Sequence, residues 1–405
     1  MTLLPPAASI PPSCLHEVFR AAEAHERRTG SEVIKLHVGE PFFAPPPEAS
    51  QAHVDAVRNN DIQYTSAEGD LALRQALTAK LRRVNGFDAD PEWVFVSPGS
   101  CQGLAALMQS IAEPGAELLL PSLHWPVHLQ QCLLAGLRPV FYPLDDQFHP
   151  DLERMADLGS ANTRAILINS PANPTGAVLD RDELQGLLDL AHERGWRVIS
   201  DEAYEQFTYT GEHISAAALE RHLDPADRLV DSAFTFSKGA AMTGMRLGYI
   251  VAANNRAADA LRIVQEASII APPTPVQRAG LAALGAWQHG ERHAALVRQN
   301  RDTVMPDQQE AGLLRGLPEG GWYALLDVSS TGLDGQEFSD RLLAEHSVSL
   351  APAAGFALKP ALDTAGRVTA APAAAGSRSL IRLAFCGDPG RLATGVERLL
   401  KFAAG

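Results

Sequence analysis

The sequence predicts an α/β protein with a mostly parallel sheet between helices, followed by a smaller α+β unit. Short strands such as "AELLLPS" and "WRVISDEAY" are apolar along their length, and amphipathic segments alternate with them. Strands that are apolar on both faces are typical of parallel sheets covered by helices on both sides. From about Pro275 this alternation gives way to a different pattern. We therefore expect a large domain over 46–275, a small α+β domain over 276–405, and an N-terminal arm over 1–45 that joins the small domain.

The elements of the large domain follow one another as strand and helix in regular order. The strands and helices read, in chain order, "EWVFVSPGS", "CQGLAALMQSIA", "AELLLPS", "HLQQCLLAGL", "RPVFYPLD", "RAILINSPANPTG", "RDELQGLLDLAHERG", "WRVISDEAY", "RLVDSAFTFSK" and "MRLGYIVAA". In such sheets ligands bind beyond the carboxyl ends of the strands. Ser100, Asn173, Asp201 and Lys238 all come just after apolar strand runs, which makes them candidate site residues.

The C-terminal part has fewer strands and longer helical patterns. "VQRAGLAALGAWQHGERHAALVRQNRDTVM" predicts a long helix, and "GGWYALLDVS", "GQEFSDRLLAEHS", "SLIRLAFCG" and "GRLATGVERLLKFAA" predict strand, helix, strand and helix. Residues 358–378 are rich in Ala, Pro and Gly without periodicity. We expect them to form a long loop, either a flap over the substrate entrance or a surface insertion.

The composition of the chain argues against several classes of protein. The net charge of −14 on 405 residues argues against a nucleic-acid binder, which would carry a basic face. Four scattered cysteines indicate reduced thiols rather than a disulfide framework or a metal site. The N-terminus lacks the cationic region of a signal peptide, and no apolar run is long enough to cross a membrane. We therefore expect a cytoplasmic protein that binds neither nucleic acid nor membrane.

Lys238 ends an apolar strand in "AFTFSKGAAMTGMRLGY", where burying a charged amine is costly. A serine-hydrolase S-x-x-K frame would begin at Thr235, and no "SDN" or "KTG" motif follows. A phosphate-binding P-loop is excluded because "SPGSCQG" has no lysine. Two interpretations stay open at this point: a structural cation at the strand end, and a Schiff base with pyridoxal 5′-phosphate (PLP). That cofactor requires a phosphate site, a carboxylate at its pyridine nitrogen, a donor at its phenolic oxygen and a ring stacked on it.

Candidates for the phosphate site lie in two segments. Ser100 and Cys101 follow a strand at the start of a helix, where backbone N–H groups favour a phosphate. Thr235 and Ser237 bring hydroxyl groups close to the reactive lysine. Arg246, a few residues further on, can pair with a phosphate through two hydrogen bonds.

Four other residues are candidates for holding the ring. Asp201 follows an apolar strand and can keep the pyridine nitrogen protonated, while Asn173 and Tyr204 can hydrogen-bond the phenolic oxygen. Trp125 can stack on the ring. Taken singly, three of them have a structural alternative: Asp201 as a helix cap, Asn173 as a turn residue, and Trp125 as a packing residue. Arg246, taken singly, could likewise be a surface cation.

Taken together, these segments resemble the class I and II aminotransferases, which are PLP enzymes of fold type I. "SPANPTG" resembles the family's N-P-x-N-P-T-G turn and "SDEAY" its D-E-x-Y element. "TFSKGAAMTGMRLGY" resembles its S-x-S-K…R-x-G-Y element, with Thr235 in place of the first serine. "YTSAEGDLALRQAL" and "IRLAF" resemble two further segments, and the matches span Gly39 to Phe385 in family order.

The resemblance implies a role for each candidate. Lys238 would hold the cofactor as an internal aldimine and move the proton, and Asp201 would pair with the ring nitrogen. Asn173 and Tyr204 would contact the phenolic oxygen, and Trp125 would stack on the ring. Ser100, Cys101, Thr235, Ser237 and Arg246 would bind the phosphate.

Four more residues enter through the resemblance alone. Arg382 would bind the substrate α-carboxylate, with help from the backbone N–H of Gly39. Tyr64 would reach the phosphate of a neighbouring subunit, which implies a homodimer with shared active sites. His128 either supports Asp201, as a histidine does in some aspartate-type members, or is an ordinary helix residue.

The implied activity is transfer of an amino group between an L-α-amino acid and a 2-oxo acid by a ping-pong mechanism. The same scaffold supports C–S β-lyases, cyclopropane-carboxylate synthases and amino-acid oxidases. A transcriptional regulator is disfavoured because the segment before "VIKLHVGEP" leaves no room for a helix-turn-helix. Phe42, Phe43 and Trp125 favour a substrate with a neutral or aromatic side chain, whereas Glu40 would favour a basic one.

Overall fold

The computed structural model describes residue 7 and residues 10–362, 368–372 and 375–405. Its α-helices are α1 Cys14–Thr29, α2 Pro47–Arg58, α3 Leu71–Lys80, α4 Gly99–Ser110, α5 Pro126–Leu134, α6 Leu152–Leu158, α7 Arg181–Arg194, α8 Ala216–Leu219, α9 Asn255–Ile269, α10 Thr274–Gly285, α11 Trp287–Glu310, α12 Gly335–His346 and α13 Pro389–Ala403. Its strands are β1 Ile34–Lys35, β2 Val94–Ser97, β3 Glu117–Pro121, β4 Arg138–Tyr142, β5 Thr163–Asn169, β6 Arg197–Asp201, β7 Val230–Thr235, β8 Gly248–Val251, β9 Tyr323–Asp327, β10 Val348–Ser349, β11 Ala351–Pro352, β12 Leu358–Leu362, β13 Val368–Pro372 and β14 Leu380–Ala384. None of the helices within these ranges is long and apolar enough to cross a membrane.

The central sheet has seven strands in the order β2-β8-β7-β6-β5-β3-β4. Strand β8 runs antiparallel to its neighbours β2 and β7, and the other pairs are parallel. Along β3, Leu118 and Leu120 belong to the core on one face, and Leu119 packs with Ile166 in the core on the other face. The expected α/β fold with a mixed, mostly parallel sheet is therefore confirmed.

A smaller antiparallel sheet, in the order β11-β14-β9, lies in the C-terminal part of the chain. Its core contains the fully buried rings of Trp322, Phe338 and Phe385. Leu325 of β9 lies opposite Arg382 of β14, and this pairing fixes the register of the two strands. This arrangement agrees with the expected α+β character of the C-terminal part.

The N-terminal segment packs against this C-terminal part. Strand β1 pairs in parallel with β10, Ile34 opposite Val348, and α1 packs against β11 and α12. His25 of α1 also contacts the Ser347 hydroxyl at 3.1 Å. These contacts agree with an arm that joins the small domain, while the boundaries at 45 and 275 stay predictions.

The expectation of a long loop over 358–378 was wrong for the residues that the structure describes. Strands β12 and β13 form an antiparallel ribbon, with Leu358 opposite Pro372 and Leu362 opposite Val368. Cross-strand hydrogen bonds join backbone groups, so a ribbon forms without the alternation of apolar side chains on which the prediction relied. Residues 363–367 and 373–374 of that prediction lie outside the described residues.

His149 connects the loop after β4 with two other segments. Its Nδ1 lies 2.7 Å from a carboxylate oxygen of Glu183 in α7. Its Nε2 lies 3.3 Å from Glu319, in the loop that leads into β9. Hydrogen bonds to Glu183 and Glu319 raise the pKa of His149 to about 10, so the imidazole is charged near neutral pH.

Candidate active site

The site lies at the carboxyl ends of neighbouring parallel strands. Asn169 ends β5 opposite Asp201 at the end of β6, and Asp201 in turn lies opposite Ala233 of β7. Because these strands are parallel, the side chains that follow them meet at one edge of the sheet. A cavity of about 410 Å³ opens there. It is lined by the predicted residues Gly39, Ser100, Cys101, Trp125, Asn173, Asp201, Tyr204, Thr235, Ser237, Lys238, Arg246 and Arg382.

Lys238 lies directly beyond β7 with its amine in this cavity. The Nζ atom lies 3.4 Å from the Gly39 carbonyl oxygen, 4.8 Å from the ring centre of Trp322 and 5.3 Å from that of Tyr204. Among the described residues the amine forms no ion pair with a carboxylate. An amine that is not tied up in an ion pair is available as a nucleophile.

One end of the cavity is built to receive an anion. The N-cap of α4, Pro98, makes no side-chain cap, so the first N–H groups of the helix lack that partner. Gly99 has φ 77°, and a Cβ there would lie 2.6 Å from the Arg246 guanidinium. Arg246 is held at 2.8 Å by the Thr243 carbonyl oxygen and lies 3.4 Å from the Ser237 hydroxyl. Backbone donors, a hydroxyl and a guanidinium therefore converge at this end.

The Thr235 hydroxyl extends this anion site. It lies 3.0 Å from the Ser237 hydroxyl and also accepts a hydrogen bond from the Ser237 backbone N–H. Cys101 contributes less through its side chain, because burial raises the pKa of its thiol and keeps it neutral. The backbone of Cys101 is the part suited to an anion.

A buried carboxylate, that of Asp201, also lines the cavity. Asp201 Oδ2 lies 2.9 Å from His128 Nε2, and its Oδ1 accepts from the Ala203 backbone N–H at 3.2 Å. Asp201 is 4% exposed and His128 is fully buried. The Trp125 ring lies edge-on to His128, with the ring centres 5.2 Å apart. Of the two interpretations left open for His128, the structure agrees with contact to Asp201.

Arg382 is the cation on the other side of the cavity, and it is only 1% exposed. It donates to the Asn173 side-chain oxygen at 2.9 Å and to the His37 carbonyl oxygen at 2.7 Å. The rings of Tyr323 and Phe356 lie 4.1 Å and 4.6 Å from its guanidinium carbon. No carboxylate pairs with it among the described residues, so this buried charge is suited to bind a carboxylate from solution.

Some residues of the site were missed by sequence reasoning. Besides the predicted residues, the cavity wall includes Tyr323 and His37, and α1 contributes Leu15, His16 and Phe19. The hydroxyl of Tyr323 lies 3.3 Å from that of Tyr204, and burial is the main cause of a Tyr204 pKa well above its ordinary value. The strand "GGWYALLDVS" carries no signal that one of its rings faces a cavity.

The structure does not place Phe42, Phe43 or Glu40 in the wall of this cavity. Phe43 stacks instead on His293 at 3.6 Å, and Phe42 packs edge-on against Phe43. Tyr64 also lies outside this cavity and is 82% exposed.

Comparison with known proteins identifies the family. The family model described as aminotransferase class I and II matches residues 31–382. The chain belongs to this family. The class I and II aminotransferases use PLP, and this chain is a PLP-dependent aminotransferase that acts on an amino acid and a 2-oxo acid.

Individual relatives cover more than four fifths of the chain. An aspartate/prephenate aminotransferase of Thermus thermophilus is 33% identical over 82% of this chain and 86% of its own length. An aromatic-amino-acid aminotransferase of Thermococcus litoralis is 31% identical over 85% of this chain and 88% of its own length. The crystal structure of an aspartate aminotransferase from Thermotoga maritima superposes on this chain with a TM-score of 0.87 at 28% sequence identity. The superposition covers 98% of this chain and 99% of the Thermotoga chain. The predicted fold type I is therefore confirmed.

The residues of the site fit this cofactor. The uncapped start of α4 and Arg246 suit its phosphate, and Asp201 suits its pyridine nitrogen. The amine of Lys238 lines the same cavity as these residues.

Proposed function

We propose that the chain transfers the amino group of an L-α-amino acid to a 2-oxo acid in two half-reactions of a ping-pong cycle. The observation that carries this proposal is the cavity itself: the Lys238 amine shares it with an anion site at Arg246 and with a second cation, Arg382. A small substrate with a carboxylate and an amino group fits between the lysine and Arg382. PLP, when bound, supplies an electron sink for the bond that breaks at the substrate carbon.

The phosphate would be held at the start of α4. Backbone N–H groups of Ser100 and Cys101 donate to it, and Thr235 and Ser237 add their hydroxyls. Arg246 adds two charged donors in a planar fork. These groups fix the cofactor at one end, so that its reactive carbon stays near the lysine.

The ring would be held by four residues. Asp201, in contact with His128, would pair with the ring nitrogen and keep a proton on it. Asn173 and Tyr204 would donate to the phenolic oxygen, and Trp125 would stack on the ring. His128 acts through Asp201, because its N–H stabilises the charged carboxylate.

Arg382 would orient the substrate. Its guanidinium binds the α-carboxylate, with the Asn173 amide and the Gly39 backbone N–H beside it. This clamp would direct the Cα–H bond of the substrate toward the Lys238 amine, which would act as the general base that takes up that proton and as the acid that gives it back.

We also propose a cytoplasmic homodimer. Tyr64 is 82% exposed and lies outside its own cavity, as expected for a residue that completes the phosphate site of a second copy. Ile62 and Leu71, which flank Tyr64 in the sequence, are also exposed, and so are Ile263 and Ile270 at α9, the helix whose Arg262 pairs with Glu68. These apolar side chains support an interface there. Sedimentation should show a dimer, and Tyr64→Ala should weaken PLP binding. A monomer with full PLP affinity would contradict this proposal.

The experiment that tests the function is Lys238→Ala, with Lys401→Ala as a matched control on the exposed side of α13. The control should keep the visible absorbance of bound PLP and amino-group transfer from a panel of amino acids. Lys238→Ala should lose both. A Lys238→Ala protein that still transaminates would contradict the proposal, and ammonia or peroxide in place of a new amino acid would indicate a lyase or an oxidase.

A further inference from the structure

Tyr323 lies on the same face of the small sheet as Arg382. In the antiparallel pair of β9 and β14, Tyr323 is opposite Ala384 and Leu325 is opposite Arg382. Residues two apart on a strand point to the same face, so Tyr323 is the diagonal neighbour of Arg382. Tyr323 is 4% exposed, and this burial restricts its ring to one orientation.

The ring of Tyr323 forms one wall of the carboxylate clamp. It lies 4.1 Å from the guanidinium carbon of Arg382, and Phe356 lies 4.6 Å from the same atom. A guanidinium between two aromatic rings keeps its plane without a carboxylate partner. The edge that carries the N–H donors therefore stays available to a substrate.

The hydroxyl of Tyr323 reaches a different functional residue. It lies 3.3 Å from the Tyr204 hydroxyl, and each hydroxyl has one proton to donate. In this structure the Tyr204 hydroxyl donates to that of Tyr323. Once Tyr204 donates to the cofactor's phenolic oxygen instead, its own oxygen can accept from the Tyr323 hydroxyl. A donor that is itself an acceptor forms the stronger outgoing hydrogen bond.

Gly39 makes this position of the hydroxyl possible. A Cβ at Gly39 would lie 1.7 Å from the Tyr323 oxygen, so a side chain there would displace the ring. The Gly39 carbonyl oxygen in turn lies 3.4 Å from the Lys238 amine. Tyr323 thus occupies the space between the carboxylate clamp, the phenolic-oxygen contact and the reactive lysine.

We propose that Tyr323 is a positioning residue with two separable actions: its ring orients Arg382 for the substrate carboxylate, and its hydroxyl orients Tyr204 toward the cofactor's phenolic oxygen. The inference rests on the proposed roles of Arg382 and Tyr204. It predicts that removing the hydroxyl and removing the ring change different measured quantities.

The test compares Tyr323→Phe, Tyr323→Leu and Phe356→Leu. The last variant is the matched control, because Phe356 contacts Arg382 but has no hydroxyl. Two readouts are measured on PLP-loaded protein: the pH midpoint of its visible absorbance change, and the dissociation constant of propionate, a carboxylate without an amino group. Steady-state kcat and KM are measured with the best amino acid of the panel.

Tyr323→Phe should raise the absorbance midpoint by roughly 0.4–1 pH unit, the equivalent of one hydrogen bond. The reason is that a weaker contact from Tyr204 leaves more negative charge to hold the proton on the Lys238 nitrogen. The same variant should lower kcat and leave KM and propionate binding within about twofold, since the ring stays. Tyr323→Leu should also weaken propionate binding by about 10–30-fold.

Phe356→Leu should weaken propionate binding without moving the absorbance midpoint. If Tyr323→Phe does not move the pH midpoint of the absorbance change, and the enzyme transaminates, the proposed role of the Tyr323 hydroxyl is overturned. Propionate binding equal in Tyr323→Leu and Tyr323→Phe would overturn the role of the ring. A wild-type protein that loads PLP but transfers no amino group would instead overturn the proposed function, so the two failures are distinguishable.

Discussion

Replacing Lys80 by methionine should strongly destabilise the protein, because Lys80 neutralises a carboxylate inside it. The Lys80 side chain is 2% exposed, and its amine lies 2.5 Å and 2.6 Å from the two carboxylate oxygens of Glu205. Asn85 accepts from the amine at 2.8 Å and donates to Glu205 at 2.9 Å. The ring centres of Phe234 and Trp287 lie 4.5 Å and 5.2 Å from the amine.

The size of the stability loss depends on whether a variant leaves the buried carboxylate of Glu205 without a partner. Burial lowers the pKa of Lys80, and the attraction of Glu205 opposes that effect. Methionine fills the space of the lysine stem but leaves Glu205, 10% exposed, without its cation. Breaking a buried pair in this way costs about 3–5 kcal/mol. In the double variant Lys80→Met/Glu205→Gln, the new amide can pair reciprocally with Asn85, so most of that cost should be recovered.

The assay is the melting temperature of the PLP-free protein at one protein concentration. For a domain of 150–250 residues the single variant should melt roughly 6–20 °C below wild type. The double variant should melt well above the single one. Far-ultraviolet circular dichroism at low temperature checks that each variant is folded. A double variant no more stable than Lys80→Met would refute the reasoning. In that case the unpaired carboxylate of Glu205 would not be the cause of the lower melting temperature of Lys80→Met.

Two further predictions concern pH and the anion site. Since the pKa of His149 is raised to about 10, its charged form stabilises the folded state fully below its ordinary pKa of 6.5, and this contribution is lost as the pH rises through about 10. The melting temperature of His149→Gln should thus fall furthest below wild type at pH 6 and approach it at pH 10; a gap that widens with pH would contradict this. Gly99→Ala places a Cβ 2.6 Å from the Arg246 guanidinium and should weaken PLP binding at least about tenfold in an equilibrium titration. The control Gly115→Ala has a similar φ of 85° and open space around its Cβ, so it should lower the melting temperature alone; equal PLP affinities in both variants would exclude the clash.

Local sequence determined the elements and the reactive segment. Apolar runs such as Glu117–Pro121 form strands because both of their faces are buried, and the alternation with helices predicts their parallel pairing. Lys238 and Arg246 lie in one short stretch, so their common position beyond β7 could be predicted without the rest of the chain. The resemblance to the family's motifs added Arg382 and Gly39 to the predicted site residues, and both line the cavity.

Only the tertiary structure decided which side chains from distant segments meet. Tyr323 contacts Tyr204 and Arg382 because β9 pairs with β14 in one register, and a shift by one residue would turn the ring to the other face. Phe43 shows the converse: its sequence position beside Gly39 suggested the cavity, but it stacks on His293. A strand or helix pattern specifies which face of an element is buried, whereas the partner that buries it depends on how the elements pack together.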